Sequence, residues 1–260
     1  MNIANKARTA VRALREDGFQ AMVSLIMSRL PFAWSAKFKW DANISTEVQF
    51  WDDYFRTKGG KWAETYAPRF DPDLPLQPRA AALLPAQTEV HILDVGAGPT
   101  TFLGKKCEGK RIEITAVDPL ADKYDKILDK YNIHPLVRTQ KLAAEDLREK
   151  FGANTFDLVF ALNCIDHAYN PEKAIVHMIE VVKSGRYVLL QHRPHEAENE
   201  NYSGLHQWNF ASSAEGDFII SSRSSSVNMT KKYAELCTMT CEMVNEGKLG
   251  DWLVTRIRKK

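Results

Sequence analysis

The sequence predicts an α/β chain: a mostly parallel sheet wound on both faces by helices, ending in an antiparallel hairpin and preceded by a helical N-terminal extension. Three observations predict it. From Val90 onward, short apolar runs alternate with helical stretches, the pattern of strands covered on both faces and joined by crossover helices. Near the end, Cys237 to Val244 and Trp252 to Arg258 flank a short polar stretch, Asn245 to Asp251, suited to an antiparallel return. Upstream, the proline-dense Asp71 to Pro78 cannot hold a helix, because each proline removes a donor and restricts its predecessor.

Residues 1–85 read as a helical extension able to act as a lid or substrate cap, and residues 86–260 as the main domain. Ala4 to Leu14 alternates Lys6, Arg8, Arg12 and Arg15 with Ala7, Ala10, Val11 and Leu14, a basic amphipathic pattern. It fits a helix packed on the core with a solvated basic face, or one lying on a membrane surface through residues 4–15. Thr46 with Gln49 three residues on reads as a capping box, followed by Val48, Trp51 and Phe55 on one stripe and Gly59-Gly60 as a stop. The strands are expected at Val90–Val95, Ile112–Val117, Leu136–Thr139 (weakly marked), Asp157–Ala161 and Arg186–Gln191. Before the last of these, Asn170 can cap a helix, Pro171 suits its first position and Gly185 ends it. A polar insert, about 192–225, follows the fifth strand.

A chain of 260 residues carries one main core plus a decorated terminus. Its 44% hydrophobic and 26% charged residues exclude a disordered chain, and a formal charge of +2 lacks the broad basic footprint of nucleic-acid binding. The four scattered cysteines, Cys107, Cys164, Cys237 and Cys241, show no metal-binding pair and read as reduced thiols. No apolar run approaches the roughly 20 residues of a membrane span, so a cytoplasmic location is expected.

The chemistry concentrates in His91-Ile92-Leu93-Asp94-Val95-Gly96-Ala97-Gly98-Pro99-Thr100, a strand running into a glycine turn. Glycines there let the backbone approach a ligand where a Cβ would collide, and the turn leaves amide donors free. Asp118, at the end of the second strand, is placed to accept hydrogen bonds from both hydroxyls of a ribose. A nicotinamide-dependent oxidoreductase is the competing reading. It would show a fuller Gly-x-Gly-x-x-Gly and, in one large class, a Tyr-x-x-x-Lys pair, which Tyr233 does not form.

Asp94-Val95-Gly96-Ala97-Gly98, Val117-Asp118, Ala144-Glu145-Asp146-Leu147, Phe156-Asp157-Leu158-Val159 and Ile165-Asp166-His167 together resemble the successive motifs of class I S-adenosylmethionine (SAM)-dependent methyltransferases. The likeness spans about Val90 to Gln191. It implies a Rossmann-like, doubly wound, mostly parallel seven-stranded sheet, with the final hairpin reversed, and SAM as cofactor. By the same resemblance Asp94 sits near the methionine amino group, Gly96, Ala97 and Gly98 line the cofactor, and Asp118, followed by Pro119, holds the ribose. Glu145 or Asp146 lies beside the adenine, and Asn163 and Cys164 lie near the transferred methyl. Two positions depart from the pattern: Thr100 replaces a third glycine, and Ala143 stands where many relatives have an aspartate.

Candidate bases are Asp166 and His167 after the fourth strand, and His192, His195 and His206 in the insert. With Glu196 and Glu198 these histidines match no tight metal motif, so no metal is expected. The preferred acceptor is a saccharide or glycan-precursor hydroxyl: Trp208 and Phe210 are placed to cover an apolar face while Gln207, Asn209 and the histidines bond to hydroxyls. Trp51, Trp62, Tyr66 and Arg69 would close the other side. Phe50-Trp51 followed by Thr57-Lys58-Gly59-Gly60-Lys61-Trp62 also resembles methyltransferases of bacterial surface-polysaccharide type. The alternatives are an RNA or protein methyltransferase, although Asn163-Cys164-Ile165-Asp166 is not the Asn-Pro-Pro-Tyr of amine-modifying enzymes, and a SAM-binding scaffold without catalysis.

Overall fold

The computed structural model describes residues 36–260; the basic amphipathic pattern at 4–15 lies outside them. Helix α1 (Ala36–Arg56) crosses the domain and buries Tyr54 and Phe55, with Trp40, Ile44, Val48 and Trp51 packed alongside, against Leu120, Tyr124, Ile127 and Leu128. Thr46 is not its cap. The apolar stripe continues upstream through Ile44 and Trp40, so packing extends the helix backward, and the Thr46 hydroxyl donates instead to the Asn43 carbonyl at 2.7 Å. The glycine stop does form: Gly59 adopts φ 99° and its amide donates to the Tyr54 carbonyl at 2.8 Å. The chain then runs through two short 3₁₀ turns and an extended proline segment to α2 (Pro78–Ala81). Leu76 and Ala80 of that stretch are buried in the core on one face of the sheet.

The main sheet contains β1 (Glu89–Val95), β2 (Arg111–Asp118), β3 (Gln140–Lys141), β4 (Phe156–Leu162), β5 (Val182–His192), β9 (Cys237–Asn245) and β10 (Asp251–Lys259). Its order is β3-β2-β1-β4-β5-β10-β9. The first five strands run parallel, and β10 is antiparallel to both β5 and β9. Helices α3 (Ala121–Lys130), α4 (Leu147–Phe151) and α5 (Pro171–Val181) form the crossovers. β4 is buried at every position but its last, as a central strand covered on both faces must be.

Two boundaries differ from the sequence expectation. The third strand is not Leu136–Thr139: Leu136 is exposed, and only the two residues opposite Val117 and Asp118 find a ladder partner. Gly185 does not end α5, which stops at Val181. It lies inside β5 at φ 76°, where the pairing jumps from Phe156–Val182 to Leu158–Tyr187 and the extra residues bulge outward. Asn170 does cap α5, its side chain accepting from the Lys173 amide at 3.0 Å.

After β5 the insert is folded rather than open. It holds α6 (Glu196–Asn199) and a three-stranded antiparallel sheet of β6 (Asn209–Ser212), β7 (Phe218–Ser221) and β8 (Ser226–Asn228), followed by α7 (Met229–Lys232). Phe210, Phe218, Ile220 and Met229 complete the core under α5 and the terminal hairpin. The four cysteines are unpaired. Among the described residues no helix is long and apolar enough to cross a membrane.

Candidate active site

The ends of β1, β2 and β4 open into one pocket, at the point where the strand order reverses between β1 and β4. Asp94, Gly96, Ala97, Gly98, Asp118, Pro119, Glu145, Asn163, Cys164 and His167 all line it. Helix α1 closes one side with Trp40, Glu47 and Trp51, and Arg69, Phe102, Tyr124, Tyr169 and Leu205 complete the wall.

The glycine turn is tight for stated reasons. Gly96 has φ 66°, and a Cβ on it would stand 2.4 Å from the Cys164 sulfur; one on Gly98 (φ 63°) would stand 2.7 Å from the Trp51 ring. Asp118 accepts from the Leu120 amide at 2.8 Å and the Gly98 amide at 3.2 Å, tying the ends of β1 and β2 together. Asp94 accepts from the Thr101 hydroxyl at 2.5 Å. Burial pushes both carboxyls up to about 7, against the hydrogen bonds just named and, at Asp94, the charge of Arg69. Two buried acids of this kind favour a cationic guest, which offsets the cost of ionising them. The Arg69 guanidinium stacks 5.0 Å from the Trp51 ring, 5.1 Å from Phe102 and 5.4 Å from Tyr54, and donates to the Thr100 carbonyl.

Several candidates fall elsewhere. Glu145 is buried against the pocket and accepts from the Asn170 amide at 3.0 Å, whereas Asp146 faces solvent, 3.9 Å from Lys173; the turn into α4 points successive side chains apart. His192 is only 1% exposed: it packs edge-on to Phe210, and its Nε2 accepts from the Ile165 amide at 3.2 Å. Burial pushes it down to about 4, which keeps the imidazole neutral as the Ile165 acceptor, and it does not line the pocket. His195 is 53% exposed and faces Glu198, outside the pocket wall. His206, brought back by the insert, meets Asp166 and His167: His206 Nδ1 lies 3.2 Å from Asp166 Oδ2 and 3.2 Å from His167 Nε2. Burial alone would raise the Asp166 carboxyl, but His167, His206 and His192 outweigh it and hold it at about 2.

The insert's polar residues are occupied. Gln207 donates to the Tyr202 and Gly204 carbonyls, Asn209 is held by Glu198 and Tyr202, and Phe210 is core. Of the aromatics expected to form a lid, Trp51 lines the pocket; Trp62 is exposed on Phe50, and Tyr66 packs among Tyr54, Phe55 and Phe70. Glu47, Trp40, Tyr124 and Tyr169 were not singled out from the sequence. Glu47 and Trp40 share the stripe spacing of Trp51, which is the one signal that pointed to them.

Residues 93–190 match the family model for a methyltransferase domain. A solved chain from the Haloferax volcanii complex of a methyltransferase activator with its candidate methyltransferase is 12% identical. The match covers 82% of this chain and 98% of that one, at a TM-score of 0.51, and shows the shared fold. Also similar are the Burkholderia thailandensis 1,6-didemethyltoxoflavin-N1-methyltransferase (16% identity, 89% and 92% covered, TM-score 0.46) and the CurJ carbon methyltransferase (17%, 70% and 51%, 0.47). This chain spans about half the length of the last. No curated protein sequence matches. The centre of the chain thus matches a methyltransferase domain, and the fold around it is Rossmann-like. In this chain helix α1 lies along the pocket and a folded insert follows β5.

Proposed function

We propose that this protein transfers the SAM methyl group to a hydroxyl of a small molecule, with a saccharide or glycan precursor as the preferred acceptor. The observation that carries the reading is the convergence of the glycine turn, Asp94 and Asp118 on one acid-lined pocket, with His167 on its wall backed by Asp166 and His206. Asp118 would hold the ribose, Asp94 the methionine ammonium, and Ala144 and Glu145 the adenine edge. Trp40 and Tyr169, edge to face at 6.4 Å, offer aromatic surface to one face of a sugar ring. Four unpaired thiols suit a reducing compartment, in keeping with a cytoplasmic enzyme.

The sulfonium is already an activated electrophile. The protein has to align an acceptor oxygen with the methyl–sulfur bond and take up its proton as the C–O bond forms and the C–S bond breaks toward sulfur. Alignment supplies on the order of 7–11 kcal/mol in favourable cases, and a positioned base about 10²–10⁴-fold. In a site without a metal ion, His167 on the pocket wall is the base. Calorimetry with SAM and S-adenosylhomocysteine, followed by a radiolabelled-methyl assay on sugars, sugar nucleotides, RNA and protein fractions, tests the reading. Label in the sugar fraction supports it. Label confined to RNA or protein overturns the acceptor class, and no heat with SAM overturns the whole.

A further inference from the structure

His167 Nε2, His206 Nδ1 and Asp166 Oδ2 form a nearly equilateral triangle with edges of 3.2, 3.2 and 3.4 Å. Hydrogen bonds satisfy it only in part: both rings can donate to Asp166 Oδ2, which leaves two N–H groups 3.2 Å apart. Each ring nitrogen has either one N–H or one in-plane lone pair, so His206 Nδ1 cannot donate to Asp166 and also accept from His167. If Nδ1 is bare, it faces the carboxylate lone pair against lone pair. If it is protonated, its N–H faces either an N–H or an unshared nitrogen on His167 that it cannot serve as well as the carboxylate. Asp166 is only 2% exposed, and its second oxygen, Oδ1, is buried without a hydrogen-bond partner, as is Oε2 of the neighbouring Glu196.

One cation serves all three lone pairs. Ligands about 2.0–2.1 Å from a tetrahedral ion stand about 3.3 Å apart, the edge seen here. Outside the triangle, Glu47 Oε2 lies 3.9 Å from His167 Nδ1, the far nitrogen of that ring. A carboxylate behind a ligating imidazole is the usual means of fixing its tautomer. Nothing in the chain order advertises the set: Asp166 and His167 follow β4, while His206 returns from the insert, 39 residues away from His167.

We propose that Asp166, His167 and His206 bind one divalent transition-metal ion beside the pocket, with an open position toward its His167 wall. Two imidazoles and a carboxylate suit zinc, or iron or manganese, better than magnesium. The ion's role rests on the methyltransferase reading: it lowers the pKa of an acceptor hydroxyl, whose proton passes to solvent, whose oxygen takes the methyl and whose partner product is S-adenosylhomocysteine. His167 then acts as ligand and not as base.

The test uses the full chain stripped with EDTA and titrated calorimetrically with zinc chloride, and in parallel with manganese chloride, without SAM. One ion per chain is expected, with affinity falling at least 100-fold in His206→Ala and Asp166→Asn and about 10-fold in Glu47→Gln, the range for residues that orient a ligand. Cobalt(II) on the unsubstituted protein gives a readout independent of variant folding: tetrahedral visible absorption bands, lost on adding zinc, are expected. Absence of saturable binding, absence of those bands, or zinc affinity unchanged by both substitutions overturns the site. SAM is titrated separately. Ion binding without SAM binding leaves the site standing and fells the methyltransferase reading; SAM binding without ion binding does the reverse.

Discussion

At Gly96 the backbone is left-handed and the Cys164 sulfur stands where a Cβ would go. Gly96→Ala therefore carries both strain and a clash, and SAM affinity by calorimetry should fall at least tenfold. Gly152 is a control for strain without a clash: φ is 76° and ψ -177°, a region essentially reserved for glycine, but nothing lies within 4 Å, so Gly152→Ala should cost about 1–3 kcal/mol of stability and leave SAM affinity unchanged. Asp118→Ala should weaken SAM binding by tenfold or more; unchanged affinity would remove the ribose assignment. Because burial holds Asp94 and Asp118 at about 7, and a cationic ligand favours their ionised forms, SAM affinity should decline as pH falls from 8 to 6. That slope should be shallower in Asp118→Ala. Both aspartates were legible in the sequence, since each ends a strand of recognisable pattern. Glu47 was not, because its place at the pocket depends on which side of α1 faces the sheet.

Elements were legible where a local signal and tertiary packing agreed. Asn170 and Pro171 announced α5, and the cap forms; Asn170→Ala should cost about 1 kcal/mol in urea unfolding at pH 7, and a change near zero would mean the cap is replaced by water. Thr46 announced a helix start that packing overrode, because burying Ile44 and Trp40 outweighs a cap of about 1 kcal/mol. Gly185 announced a helix end and instead serves a bulge, since its φ suits either use and only the register of β4 against β5 decides. The insert hid its strands: β6, β7 and β8 have three or four residues each, too short to establish alternation.

For the whole molecule, the pH dependence of stability follows from groups of opposite sign. His192, pushed down to about 4 by burial, adds stability that is complete above its ordinary 6.5 and is lost as pH falls toward 4. Asp94 and Asp118, raised from 3.8 to about 7, act the other way: in the unliganded protein they subtract stability as pH climbs through that window. The difference between wild type and His192→Gln isolates the first effect. Between pH 6.5 and 5 the wild type should lose about 2 kcal/mol more than the variant in urea unfolding. Equal losses would mean His192 is hydrated.

The sequence by itself determined the alternation of strands and helices, the glycine turn and the acid one strand over, because each is written in contiguous residues whose conformational and burial preferences are local. Only the tertiary structure decided where each histidine lies. His192, His195 and His206 look alike along the chain, yet one is sealed into the core, one is left in solvent and one is carried back to Asp166 and His167. That sorting depends on how the insert packs against the terminal hairpin, through contacts between residues far apart in the chain, and no local preference encodes it.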